Sequence, residues 1–185
     1  MALPGYGMLA EAMVEPLLPV ATAQGWGLVV PEARHRFYPR HGRGQVGASW
    51  MSAHGREHDI ADNLAYLGAV LSQARERFSP GRCVVVGFSQ GASQAWRCAL
   101  ALPGVDAVIA VGGDIPTELR SQRPPHRTRA LIVRGSRDSI YGQSASAEDG
   151  AVVTAWGWDV RRVEVDAGHV FDASVVEAMA TWLAP

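Results

Sequence analysis

The chain has 185 residues, of which 48% are hydrophobic and 19% charged, as is usual for one folded globular domain over residues 1–185. The 17 Lys and Arg and 18 Asp and Glu give a formal net charge of −1, which argues against nucleic acid or an anionic membrane as a partner. Cys83 and Cys98 have no other Cys or His at metal-ligand spacing, so we expect free thiols and no metal site.

The start of the chain lacks the pattern of a signal peptide, and no stretch reaches the roughly 18 apolar residues that a membrane span needs. We therefore expect a cytoplasmic protein without stable membrane insertion. The weak net charge favours a small, uncharged or weakly charged ligand. The oligomeric state is not readable from the sequence.

Short apolar runs alternate with longer helical patterns along the chain. Strands are predicted at residues 28–30, 83–86, 105–111, 130–133 and 160–165. Helices are predicted at residues 15–24, 57–78, 90–101, 144–156 and 173–183. This order predicts a three-layer α/β/α domain with a mostly parallel sheet, in which ligands bind at the carboxyl ends of the strands.

The segment Gly87-Phe88-Ser89-Gln90-Gly91 lies between a predicted strand and a predicted helix. A Gly-x-Ser-x-Gly pattern at such a place is typical of a nucleophile elbow, a sharp turn that lifts a serine hydroxyl above the sheet. The alternative is a plain glycine turn. Because a hydroxyl is a poor nucleophile, an elbow requires a base and an orienting acid at later strand ends.

One histidine, His169, directly follows a predicted strand and leads into the last helix. The other five lie in polar loops or at a helix start, where solvated histidines are usual. Asp138 follows the strand at residues 130–133 and is the predicted acid, with Asp114 as the alternative. We therefore predict Ser89 as nucleophile, His169 as base and Asp138 as the acid that orients the base.

Acyl transfer also needs two N–H donors for the oxyanion that forms during the reaction. We expect one donor to be the backbone N–H of Gln90, immediately after Ser89. The other is expected in the early glycine-rich segment Leu3-Pro4-Gly5-Tyr6-Gly7, where the donor is the backbone N–H of Tyr6.

The chain resembles the phospholipase/carboxylesterase branch of the α/β-hydrolases, which includes acyl-protein thioesterases and small bacterial carboxylesterases. The resemblance runs from about Leu3 to the end of the chain. It rests on Pro-Gly-Tyr-Gly at 4–7, Gly25-Trp26 with Pro31, Gly-Phe-Ser-Gln-Gly at 87–91, Gly135-Ser136-Arg137-Asp138, and Gly168-His169. It implies an α/β-hydrolase fold that works without a metal or an organic cofactor.

Two features depart from that family. It usually reads His-Gly-x-Gly where this chain has Pro4-Gly5-Tyr6-Gly7, so the loop keeps the Tyr6 N–H but loses a polar anchor. In the family a full strand precedes this loop, whereas here only Met1-Ala2-Leu3 is available. We therefore expect a sheet that lacks this N-terminal strand. We also expect the natural start to lie upstream, because a gap inside a parallel sheet would leave backbone groups unpaired.

Residues 33–56 show no clear periodicity. Their basic side chains either contact an anionic group of a substrate or form a solvated loop; they are Arg34, His35, Arg36, Arg40, His41 and Arg43. Trp50 and Met51 are candidate walls of a substrate pocket, although packing of Trp50 into the core explains its presence equally well.

The connection from Asp114 to Arg129 is too short for a cap domain, so we expect an open site. Together these features predict a serine hydrolase that cleaves a small carboxylic ester or thioester through an acyl-enzyme. The alternative is a catalytically silent protein of the same fold that binds a small molecule or a partner.

Overall fold

The structure, a computed structural model, describes residues 1–39 and 43–184. Within these residues the strands are β1 (Ala2–Leu3), β2 (His35–Phe37), β3 (Gly47–Ser49), β4 (Val84–Phe88), β5 (Ala107–Val111), β6 (Arg129–Gly135) and β7 (Asp159–Val165). The helices are α1 (Glu11–Ala23), α2 (Arg56–Phe78), α3 (Gln90–Ala101), α4 (Gln143–Ala155) and α5 (Ala173–Leu183), with a 3-10 turn at Thr117–Leu119.

The main sheet is parallel and has the strand order β1-β4-β5-β6-β7. Its central strands are buried on both faces, and alternate residues enter two different apolar cores. Ala110 and Ile132 pack on the side that α2, α3 and α4 cover, whereas Val111 and Leu131 pack on the side of α1 and α5. The predicted three-layer α/β/α architecture with a mostly parallel sheet is thus confirmed.

Most predicted helix ends lie within one residue of those observed, and α3 and α5 have the predicted bounds. The first helix differs, because it begins at Glu11 and not at residue 15. Pro16 and Pro19 therefore lie inside α1, where each removes one N–H donor. The predicted start at residue 15 is too late, because proline is expected in the first turn of a helix and Pro16 therefore suggested a start just before it.

Two predictions about the start of the sheet need correction. A two-residue strand, β1, is present where we expected a missing strand, and it pairs in parallel with β4 as the edge of the described sheet. Residues 28–30 do not form the predicted strand. A hydrogen bond from the Ala2 N–H to the Val29 carbonyl (2.8 Å) joins this segment to β1. With two residues, β1 is too short to form a longer ladder with it.

The strands β2 and β3 form an antiparallel pair that the sequence did not indicate, with Phe37 opposite Gly47. Strands of three residues are too short to show a period of two. This β2–β3 hairpin lies close to the loop after β1, because the Gly7 N–H donates to the Ala48 carbonyl at 2.8 Å.

Candidate active site

Ser89 lies on the sharp turn between β4 and α3, with φ 52° and ψ −118°. A positive φ is strained for a residue other than glycine and persists only where the surroundings enforce it. The flanking glycines allow this turn. A Cβ on Gly87 would lie 2.1 Å from the Gly91 carbonyl oxygen, and a Cβ on Gly91 would lie 2.0 Å from the Leu3 carbonyl oxygen. The segment therefore has the sharp backbone geometry that a nucleophile elbow requires.

Ser89 begins a chain of hydrogen bonds that includes both predicted partners. Its Oγ lies 2.9 Å from Nε2 of His169, and Nδ1 of His169 lies 2.8 Å from Oδ2 of Asp138. An ionised carboxylate only accepts hydrogen bonds, so Nδ1 carries the ring proton of the neutral imidazole. Nε2 is then free to accept the proton of the Ser89 hydroxyl.

Asp138 is held in place by the turn that it begins. Its side chain is 1% exposed, and Oδ1 accepts hydrogen bonds from the N–H groups of Ile140 (2.8 Å) and Tyr141 (2.9 Å). Burial favours a higher pKa for Asp138, but the Tyr141 amide, His169 and the Ile140 amide outweigh it, so the pKa lies below its ordinary value. The carboxylate thus remains ionised and fixed beside the imidazole.

Neighbouring strands bring these side chains together. Ser89 directly follows β4, Asp138 follows β6 and His169 follows β7, all at the carboxyl edge of the sheet. Gly112, at the end of β5, leaves room between them: a Cβ there would lie 3.2 Å from both Oδ2 of Asp138 and Cε1 of His169. The space above β5 is therefore filled by the side chains of Asp138 and His169.

The alternative acid, Asp114, is exposed, and within the described residues it makes no hydrogen bond to His169. Asp166 is exposed too and pairs with Arg137, which fits a role in the turn. The structure thus places Asp138, and neither of these, beside His169.

Tyr6 and Gln90, the candidate oxyanion donors, come from opposite sides of the Ser89 turn. Gln90 is the first residue of α3, where backbone N–H groups lack an intrahelical acceptor. Tyr6 lies in the loop after β1, next to Gly5, whose Cβ would come 3.0 Å from the Phe88 ring. In the part of the chain that the structure describes, neither the Tyr6 N–H nor the Gln90 N–H has a hydrogen-bond acceptor.

The two candidate pocket residues differ in their surroundings. Trp50 is fully buried and belongs to the core beneath α2 and α3, so its side chain does not line an open pocket. Core packing, the second of its two interpretations, describes it. Met51 is half-buried, and its carbonyl accepts a hydrogen bond from the Gln90 side chain at 3.0 Å. It stays a candidate for the pocket wall.

Three of the six basic side chains considered for contact with a substrate pair with carboxylates. Arg34 pairs with Asp62 (3.0 Å), His35 with Asp59 (3.1 Å) and Arg36 with Glu32 (3.8 Å). Arg40 and His41 lie outside the described residues. These pairs favour the solvated-loop interpretation over contacts with an anionic substrate.

The site is open to solvent on the side of the strand ends. Between β5 and β6 the chain forms only the short 3-10 turn, and no cap covers the site within the described residues. Apolar side chains next to the candidate residues are exposed: Tyr6 by 62%, Ile140 by 73% and Val170 by 45%. A cavity of about 410 Å³ lies elsewhere, where β4 begins, and is lined by Met1, Leu28, Phe78 and Val84 among others.

Among residues 1–39 and 43–184, no group of three or more His, Cys, Asp and Glu side chains is arranged to hold a metal ion. None of the helices described there is both long and apolar enough to cross a membrane.

The chain is similar to several solved structures over nearly its whole length. Esterase PE8 is 21% identical with a TM-score of 0.78, and the match covers 98% of this chain and 89% of that one. SOBER1 of Arabidopsis thaliana is 18% identical with a TM-score of 0.75, covering 98% and 94%. A carboxylesterase of Bacillus cereus is 18% identical with a TM-score of 0.70, covering 98% and 85%.

No family model and no curated protein matches the sequence. Identities below 25% establish likeness of fold and not of activity. The parallel sheet, the turn at Ser89 and these neighbours agree on one architecture, which is also the one that the sequence motifs predicted. The chain has the α/β-hydrolase fold.

Proposed function

We propose that the chain is a serine hydrolase that cleaves a small carboxylic ester or thioester through an acyl-enzyme. The observation that carries the proposal is the continuous hydrogen-bonded chain from Ser89 through His169 to Asp138. These groups lie at the carboxyl ends of the strands, where α/β sheets bind their ligands.

In the first half of the reaction, Ser89 Oγ attacks the carbonyl carbon while Nε2 of His169 takes the hydroxyl proton. The imidazolium that forms is stabilised by Asp138, which accepts the hydrogen bond from Nδ1. The tetrahedral intermediate collapses when the imidazolium gives its proton to the leaving alcohol or thiol. The acyl group is then bonded to Ser89.

In the second half, His169 takes a proton from water, whose oxygen attacks the acyl carbon. Collapse of this second intermediate returns the proton to Ser89 and releases the carboxylic acid. The amides of Gln90 and Tyr6 stabilise the negative oxygen in both intermediates. The reaction uses only protein groups and water, so the proposal includes no cofactor.

The names of two neighbours support this choice, since one is called an esterase and another a carboxylesterase. The alternative, a catalytically silent binding protein, was suggested by the short start of the chain and by Pro4. No observation favours it, because Ser89 and Asp138 each lie within hydrogen-bond distance of a ring nitrogen of His169.

A fluorophosphonate probe tests the proposal, since it bonds its phosphorus to an activated serine Oγ and releases fluoride. We expect the intact mass of the native chain to rise by one adduct and the mass of Ser89→Ala to stay unchanged. Equal labelling of both chains, or labelling of neither, contradicts the proposal. Release of p-nitrophenol from a short-chain ester, lost in Ser89→Ala, checks turnover.

A further inference from the structure

The segment Gly47–Met51, which we call the brace, contains β3 and the two residues after it. It lies between the loop that carries Tyr6 and the start of α3, which carries Gln90. It therefore contacts both backbone elements from which the proposed oxyanion donors come. Nothing in the reaction steps above uses it.

On one side the brace holds the loop after β1. The Ala48 carbonyl accepts from the Gly7 N–H at 2.8 Å, and the indole Nε1 of Trp50 donates to the Pro4 carbonyl at 2.8 Å. The contact is close, since a Cβ on Gly47 would lie 2.9 Å from the Gly7 carbonyl oxygen. These bonds flank Tyr6 at positions 4 and 7 and supply the polar anchor that Pro4 cannot.

On its other side the brace holds the side chain of Gln90. Its Oε1 accepts from the Trp50 N–H at 2.9 Å, and its Nε2 donates to the Met51 carbonyl at 3.0 Å. Both ends of the amide are thereby fixed. The backbone N–H of Gln90 is the other proposed donor. Because the side chain of Gln90 is bonded to the brace at both ends of its amide, the residue is held next to the brace.

Trp50 is the residue common to both sides, and it is itself immobilised. It has no exposed surface, and its carbonyl accepts from Nδ2 of Asn63 in α2 at 2.7 Å. All three of its polar groups therefore have partners: Pro4, Gln90 and Asn63. Buried groups that are fully paired in this way fix a single arrangement.

We propose that Trp50 is a positioning residue that sets the distance between the Tyr6 and Gln90 amides, and so the size and orientation of the oxyanion site. The inference rests on the proposed serine-hydrolase function. An oxyanion donor acts only when it points at the oxygen of the intermediate, and loss of one donor typically lowers kcat by about 10² to 10³-fold. A donor that is present but displaced loses part of this effect.

The test replaces Trp50 by Phe, which keeps an aromatic ring but removes the Nε1 donor. We expect kcat to fall about tenfold or more and KM to change by less than about threefold. The reason is that the oxyanion contacts that Trp50 positions act mainly in the transition state. Affinity for a trifluoromethyl ketone, whose adduct with Ser89 carries an oxyanion, should fall by the same factor as kcat.

The matched control is Trp158→Phe. Trp158 is a buried tryptophan before β7, at the opposite end of the sheet, and its Nε1 donates to the His126 carbonyl at 2.8 Å. This change also removes one indole–carbonyl bond, so it should cost similar stability but leave kcat and ketone affinity unchanged. An equal loss in both variants, or no loss in Trp50→Phe, overturns the inference.

If Trp50→Phe does not fold, Gln90→Met replaces it, since this change keeps the backbone N–H but frees the side chain from the brace. The same selective loss of kcat and ketone affinity is expected, and a native kcat overturns the inference. A native chain that neither binds the fluorophosphonate nor turns over ester removes the proposed function, whereas an active native chain with unaffected variants removes only the role of Trp50.

Discussion

Oδ2 of Asp138 lies 2.8 Å from Nδ1 of His169, and the other carboxylate oxygen is occupied by two backbone amides. The carboxylate therefore cannot rotate without breaking three hydrogen bonds. Because the carboxylate oxygen that faces Nδ1 of His169 can only accept a hydrogen bond, the neutral imidazole is held in the tautomer with its proton on Nδ1.

Replacing Asp138 by Asn should therefore inactivate the protein without unfolding it. The amide oxygen can keep the bonds from the turn, which directs the NH₂ group toward Nδ1 and forces the ring proton onto Nε2. We expect kcat/KM for a chromogenic ester to fall by roughly 10³ to 10⁴-fold. Asp114→Asn is the control and should lower kcat/KM by less than about threefold; a larger loss there would reverse the assignment of the acid.

Gly91→Ala tests the close approach of α3 to β1. The new Cβ would lie 2.0 Å from the Leu3 carbonyl oxygen, so backbone must shift. Overpacking of this kind costs about 1–3 kcal/mol and at times more, and urea unfolding measures the loss. Gly68→Ala in α2 is the matched control. Its Cβ meets a Leu102 methyl group at 3.4 Å, so we expect unchanged or higher stability.

Asp172 caps α5, and its contribution should depend on pH. Its side chain accepts hydrogen bonds from the Ser174 hydroxyl and from the N–H groups of Ser174 and Val175, and these bonds lower its pKa. Asp172→Ala should cost about 1 kcal/mol of unfolding free energy at pH 7. Because the folded-state pKa lies below the unfolded value of about 3.9, this difference persists above that pH and disappears as the pH falls through the folded-state pKa.

Urea unfolding of both chains at pH 7 and at several values from pH 5 down to pH 2 measures this dependence. Asp159→Ala is the control. Its side chain is mostly exposed and lies 3.9 Å from Arg129, so the change should be within about 0.5 kcal/mol at every pH. A cost of Asp172→Ala that stays constant down to pH 2 would contradict the capping role.

Cys98 should be unreactive in the folded protein. It is fully buried in α3, and burial raises its pKa to about 12, so the reactive thiolate is scarce at pH 8. We expect a disulfide reagent to modify Cys98 only after urea is added, while the half-buried Cys83 reacts first. Peptide mass spectrometry distinguishes the two. Equal rates for both thiols without urea would show that α3 opens readily.

The long, locally determined elements could be predicted from the sequence. The helix α3 has the predicted bounds because Ala-rich sequence follows a glycine turn, and β5 and β6 are apolar runs that suit burial on both faces. The candidates Ser89, Asp138 and His169 were identified for a similar reason, because they follow the predicted strands that became β4, β6 and β7.

What the sequence did not reveal depends on contacts between distant segments. The β2–β3 hairpin consists of two three-residue strands whose pairing residues, such as Phe37 and Gly47, show no periodic pattern. The location of Trp50 was equally open, since a tryptophan suits a pocket wall as well as a core. Its complete burial decides between them, and that burial depends on distant segments such as Pro4 and Gln90, which lie 46 and 40 residues away.

The strand order also has a consequence for how the protein folds. From β4 to β7, strands that are neighbours in the sheet follow each other along the chain, so the sheet can grow in one direction during synthesis. The turn at Ser89 can form early, but the imidazole arrives only when β7 docks.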